Sequence, residues 1–161
     1  MTVGGKTSAD YSIPVEYIKC TDGSVEYDAK EFFLMTANLI KALADKADGR
    51  IEGISIVSAS GNTVLLDENM RSIRPAISWL DKRFTNEAKK VLGETENYYN
   101  IIGWPFNNTF PLAHLSWLKL NEPVNYNTAG KVCMMTDYVN YQLSGKLATN
   151  PSTATTSYLQ N

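Results

Sequence analysis

The sequence predicts one α/β domain, a mixed sheet with helices packed on it, and three observations carry that prediction. Short β-branched apolar runs at 51–57, 64–67 and 132–135 have the length and composition of strands. Between them lie stretches of helical length, several with apolar residues recurring every three or four positions, and such alternation places helices on a sheet. The chain has 161 residues, of which 43% are hydrophobic and 11% aromatic, enough for one ordinary core.

In chain order, residues 11–27 read as extended. Ile13, Val15 and Tyr17 alternate, Thr21-Asp22-Gly23 is a turn signal, and Ser24 to Tyr27 can resume a strand, giving a hairpin or an edge excursion. Asp28 then supplies an N-cap acceptor and Glu31 a carboxylate at the third helical position. Phe32, Met35, Leu39, Leu43 and Ala47 follow at helical spacing to about Asp48, where Gly49 can end the helix. Three strand runs come next, at 51–57, 64–67 and 75–79. Residues 81–93 and 111–121 read as helices, the second with Leu112, Leu115 and Leu118 on one face, and 124–130 as a short one. After the strand run 132–135, Thr136-Asp137 opens a helix through Leu143 that Gly145 closes. Residues 148–157 are small and polar enough for a loop or a short capped helix.

Composition excludes several functions. Fifteen Lys and Arg against 17 Asp and Glu, a net charge of −2, leave no basic excess, so no nucleic-acid partner is expected. No run has the ~18 consecutive apolar residues of a membrane span, and the first ten residues lack the charged-then-apolar order of a secretion signal. No membrane contact and a cytoplasmic location are therefore expected. Cys20 and Cys133 are too few for a disulfide framework and form no metal-ligand spacing with the single His114. Both thiols are expected to be buried or half-buried. His114 reads as a helix-surface or interface histidine rather than a catalytic base.

Three clusters can carry chemistry, and each has a plain structural alternative. Val57 to Thr63 places small and polar residues between two apolar runs, where backbone can approach a ligand and Ser60 and Asn62 can bond hydroxyls. Gly61-Asn62 is equally a hairpin turn. Trp79-Leu80-Asp81-Lys82-Arg83 can stack an indole on a sugar or polyol with the carboxylate accepting from its hydroxyls, or can be a core Trp before an N-capping Asp. Residues 104–109, Trp-Pro-Phe-Asn-Asn-Thr, can line a pocket or simply connect two elements.

The order of these motifs resembles a known family. Val64-Leu65-Leu66-Asp67 followed by Ile73-Arg74-Pro75-Ala76-Ile77-Ser78-Trp79-Leu80-Asp81-Lys82-Arg83 resembles the "LLD … LRPAI-W-D-R" run of the FGGY carbohydrate kinases, xylulokinase-like members especially. Phe110 to Lys119 with Asn121-Glu122-Pro123 is similar to that family's "F-x-x-x-K-L-x-W-L-K … EP" signature helix. Lys131-Val132 with Thr136-Asp137-Tyr138 to Gly145 is similar to its "KV…DY…Y-x-LTG", and Thr149-Asn150-Pro151-Ser152 to its "TD-x-S". The lead-in from Gly23 to Phe33 resembles "GW-EQDP-EWW".

The resemblance implies an RNase H-like, actin-like first lobe, with residues 1–161 an internal part of it that lacks the first phosphate-binding strand and the C-terminal lobe. Nothing matches the family's Asp-x-Gly-Thr-Thr-like turn; Gly4-Gly5-Lys6-Thr7 has no preceding strand or Asp. It further implies phosphoryl transfer from ATP with Mg²⁺ to a ketose or polyol hydroxyl in the full-length protein, with the catalytic aspartate outside this chain. No cofactor is expected on the 161 residues alone, which are expected to be inactive. Carried over residue by residue, the family's "GQMHG" sugar segment falls on Ser58 to Asn62, so Ser60 and Gly61 stand where xylulokinases have Met and His. A one-residue gap instead sets Gly61-Asn62-Thr63 against the "R-E-T" of glycerol kinases. Trp79 matches the motif's tryptophan beside the sugar, Asp81 and Arg83 its following charges, Thr109 the place of a glycerol-kinase tyrosine, and His114 replaces the signature lysine. The implied substrate-facing residues are Ser60, Gly61, Asn62, Trp79, Asp81 and Thr109. An alternative is a non-catalytic kinase-like interaction or regulatory module. A lobe without its neighbours should also expose apolar sheet edge, so a homo-oligomer is expected.

Overall fold

The computed structural model describes residues 5, 9–47, 51–92, 98–104 and 109–159. Five short strands, β1 (Ile18–Lys19), β2 (Val25–Tyr27), β3 (Thr63–Leu66), β4 (Ala76–Ile77) and β5 (Lys131–Met134), form one sheet in the order β1-β2-β4-β3-β5. Every pair in it is antiparallel. Seven helices complete the described residues: α1 (Ala29–Lys46), α2 (Thr85–Leu92), α3 (Tyr98–Ile102), α4 (Pro111–Asn121), α5 (Pro123–Thr128), α6 (Met135–Ser144) and α7 (Pro151–Thr155).

β3 is buried along its whole length, so its side chains feed two cores by strict alternation. Val64 and Leu66 join Tyr27, Ala76, Cys133, Met135, Tyr138 and Val139 on the face covered by α6, with Phe32 and Phe33 of α1 packed against them. Leu65 joins Ile77, Phe84, Ala113 and Leu118 on the opposite face, under α2 and α4. A strand clothed on both faces must be apolar throughout, which is why 64–66 reads Val-Leu-Leu.

The helix ends follow local chemistry. Asp28 caps α1, its carboxylate accepting from the Glu31 N–H at 2.8 Å. Pro occupies the first turn of α4, α5 and α7, where no N–H is needed, and the Asn150 side chain accepts from Thr153 N–H at 2.9 Å. Gly145 ends α6 in the left-handed region at φ 73°, a conformation that favours glycine.

Several expectations are corrected. Residues 51–57 form no strand and join no ladder among the described residues, with Ile54 54% and Val57 92% exposed. An apolar β-branched run makes a strand only where a neighbour has free N–H and C=O groups, and both sides of β3 are taken by β4 and β5. Two strands, not three, therefore lie between α1 and α2. α2 begins at Thr85 rather than 81, because the Asp81 carboxylate accepts from the Arg83 N–H and holds residues 81–84 in a turn. Met135 belongs to α6, not β5, and α3 was not foreseen. Cys133 is buried, whereas Cys20 is exposed in the β1–β2 turn. The stops at Asp48-Gly49 and Gly93 lie outside the described residues.

The sheet centre should dominate stability over helix capping. In urea titrations Leu65→Ala is expected to lower unfolding free energy by about 2–5 kcal/mol, and Asp28→Ala by about 1 kcal/mol. A capping loss equal to the core loss would contradict this ranking.

Candidate functional site

Because β3 runs antiparallel to both neighbours, its first residue lies beside the last residues of β4 and β5. Thr63 pairs with Ile77 on one side and with Met134 on the other. Three segments therefore leave the sheet at one place: residues 58–62 before β3, 78–81 after β4, and the start of α6 after β5.

Side chains stitch these segments together. The Asn62 amide donates to the Ala59 carbonyl at 2.8 Å and its oxygen accepts the Trp79 N–H at 3.1 Å. The Ser58 and Thr136 hydroxyls bond each other, joining the lead-in of β3 to the first turn of α6. Gly61, at φ +85°, is where backbone approaches most closely. A Cβ there would stand 2.4 Å from the Thr109 carbonyl oxygen and 3.2 Å from the Trp79 Cβ, so only glycine admits both neighbours. Ser60 and Trp79 are exposed, Trp79 at 45%. Gly61, Asn62, Trp79 and Thr109 are thus in one cluster, with Ser60 on its open side. Residues 105–108 of the aromatic loop lie outside the described residues.

Asp81 is placed differently, fully buried and directed at the sheet. Its carboxylate accepts from the Val25 N–H at 3.0 Å, the Arg83 N–H at 3.0 Å and the Arg83 guanidinium at 2.7 Å. Arg83 also pairs with Glu26, which pairs with Arg74 at 2.6 Å, and Arg74 with Glu122 at 2.9 Å. Burial pulls the Arg83 guanidinium down, but its bonds to Asp81 and Glu26 hold it above its ordinary value. The Arg83 guanidinium also lies over Phe84 and Trp117, at 5.3 and 4.8 Å from the ring centroids. This network locks the Trp79 turn to β2 and to the α4–α5 corner.

His114 corrects the surface-histidine expectation, since it has no exposed area. A single histidine in a helix sequence does not reveal which face it occupies; here it meets Phe84 at 4.4 Å between centroids and bonds the Thr63 hydroxyl through Nδ1 at 2.7 Å. Its Nε2 has no partner among the described residues, at a cost of about 1–3 kcal/mol. Burial, aided by the Arg74 and Arg83 charges, lowers its pKa to about 3, so the ring is neutral. On the other face Asp137 accepts from the Met134 N–H at 3.3 Å, and burial raises its carboxyl above the ordinary value. No three His, Cys, Asp or Glu side chains among the described residues converge as a metal site. No helix of the described residues is long and apolar enough to cross a membrane.

A cluster of small, hydroxyl and aromatic groups at one sheet end can bind a polyhydroxy ligand by stacking and hydrogen bonding. Residues 2–161 match the model of the FGGY family of carbohydrate kinases, N-terminal domain. The chain belongs to this family. It is 30% identical to the xylulose kinase of Staphylococcus xylosus over 158 residues, 93% of this chain and 32% of that protein. It is 25% identical to the gluconokinase of Bacillus subtilis over 158 residues, 97% of this chain and 30% of that protein. The solved gluconate kinase from Lactobacillus acidophilus superposes with a TM-score of 0.87 at 27% identity, over 99% of this chain and 33% of that one. The FGGY domain described here thus spans about a third of the length of such relatives. Sequence motifs named Ser58 and Thr136 separately but not the bond between them, which joins residues 78 positions apart.

The buried imidazole makes stability depend on pH. The unfolded chain takes up a proton near 6.5 that the folded FGGY domain refuses until about 3. The contribution is complete above 6.5 and is lost, at about 1.4 kcal/mol per pH unit, as pH falls toward 3. Urea denaturation of the native chain and His114→Leu at pH 7 and pH 5 should show the native chain losing more stability; parallel losses would contradict a buried neutral His114.

Proposed function

We propose that this chain is the sugar-facing wall of an ATP-dependent carbohydrate kinase that phosphorylates a hydroxyl of a ketose or polyol. The observation that supports this most is the packing of Gly61 between Trp79 and the Thr109 carbonyl, which gathers three motif segments of an FGGY domain at one strand end. In this reading Trp79 stacks on the carbon face of the sugar and Ser60 bonds its hydroxyls. Gly61, Asn62 and Thr109 shape the wall, and Asp81 supports the Trp79 turn from behind.

The work of such a wall is positioning. Phosphoryl transfer depends on holding the acceptor hydroxyl in line with the phosphate, and the proton acceptor is an aspartate outside this chain. ATP with Mg²⁺ supplies the phosphoryl group and the charge neutralisation, held by residues of the remainder of the protein. Residues 1–161 form one domain of that protein, acting in the cytoplasm. The exposed Ile54 and Val57 give the isolated domain a surface for self-association.

A coupled ATP-turnover assay on the whole protein, with D-xylulose, L-xylulose, gluconate and glycerol as acceptors, tests the reading. One acceptor should drive turnover, and residues 1–161 alone should give none. Trp79→Ala should raise the acceptor KM about three- to tenfold and leave the KM for ATP unchanged. Turnover indifferent to every acceptor, or a Trp79→Ala effect confined to ATP, would overturn it.

A further inference from the structure

We propose that His114 is a positioning residue for acceptor binding, fixing through the Thr63 hydroxyl the residue at which the three segments that leave this end of the sheet meet. The proposal rests on the sugar-kinase reading and adds to it a residue that touches no substrate.

Four observations carry it. Thr63 is the only β3 residue paired to both neighbours, to Ile77 of β4 and Met134 of β5, so a displacement of Thr63 reaches three segments at once. Asn62, which precedes it, holds the Trp79 N–H, and Ile77 is two residues before Trp79. The contact crosses from the sheet to α4, and α4 follows directly on Thr109, whose carbonyl faces Gly61. One helix therefore grips the strand end twice, through the His114 ring and through its N-terminal approach. Finally, the pair sits at the rim of an otherwise apolar core of Leu65, Ile77, Phe84, Ala113 and Leu118. Leucine would fill that place without leaving Nε2 unpartnered, so packing does not account for an imidazole there. Burial first, and then the charges of Arg74 and Arg83, the charged groups acting on the ring, keep it neutral and leave the Thr63 bond unaltered across the ordinary pH range.

The test compares His114→Leu, His114→Asn, Thr63→Val and the Leu/Val double variant in the whole protein. Asparagine can place an amide near the Nδ1 position and keep the bond, whereas Thr63→Val is near-isosteric and removes it with the least risk to folding. Leu and Val should each raise the acceptor KM about tenfold with kcat and the KM for ATP within about twofold. Asparagine should restore the KM to within about threefold, and the double variant should be no worse than either single one. Unchanged acceptor KM, failure of asparagine to rescue, or additive losses would overturn the proposal. If the whole protein shows no acceptor-dependent turnover, the kinase reading fails, and positioning is read separately from amide exchange in the chain itself. Faster exchange in Thr63→Val at Gly61, Trp79 and Thr136 together supports the junction; faster exchange confined to α4 overturns it.

Discussion

The double pairing of Thr63 is the constraint on which the site depends. In an antiparallel sheet both neighbours of a middle strand end beside its start. Here β4 and β5 both finish beside the start of β3, and Asn62, Ser78 and Met135 are one step from that junction. The His114 bond pins the junction to α4, and the Asn62 amide carries the constraint on to Trp79. Rigid strands thus deliver exposed Ser60 and Trp79, the usual division of labour between scaffold and loop.

Behind this wall the charged residues play a structural part. Asp81, Glu26, Arg74, Arg83 and Glu122 form a part-buried chain of ion pairs, with only Asp81 fully buried, linking β2, the Trp79 turn and the α4–α5 corner. The intact chain adds little net stability, but removing one partner leaves the others charged without a counter-ion and is strongly destabilising. Asp81 is buried while Trp79, two residues away, is half exposed.

Much of this was legible in the sequence wherever the governing interaction is local. Asp28 with Glu31 marked the start of α1 and Gly145 the end of α6, because caps act within a few residues, while residues 148–157 left a loop and the short α7 equally open. The site cluster was legible through the spacing of family motifs around Gly61 and Trp79. What escaped depends on distant partners. Residues 51–57 carry a strand pattern without a strand because pairing needs a neighbour that periodicity cannot supply. Asp81 looked like a helix cap or a hydroxyl acceptor until Val25, 56 positions earlier, took its carboxylate. His114 looked like a surface residue because its partner Thr63 lies 51 positions away.

The most direct measurement is a crystal structure of the whole protein with its acceptor sugar bound. The acceptor should lie against the Trp79 indole with a hydroxyl within hydrogen-bond distance of Ser60, at the end of the sheet where β3 begins. A sugar seated at the opposite end of β3, or one that leaves Trp79 and Ser60 in solvent, would contradict the account.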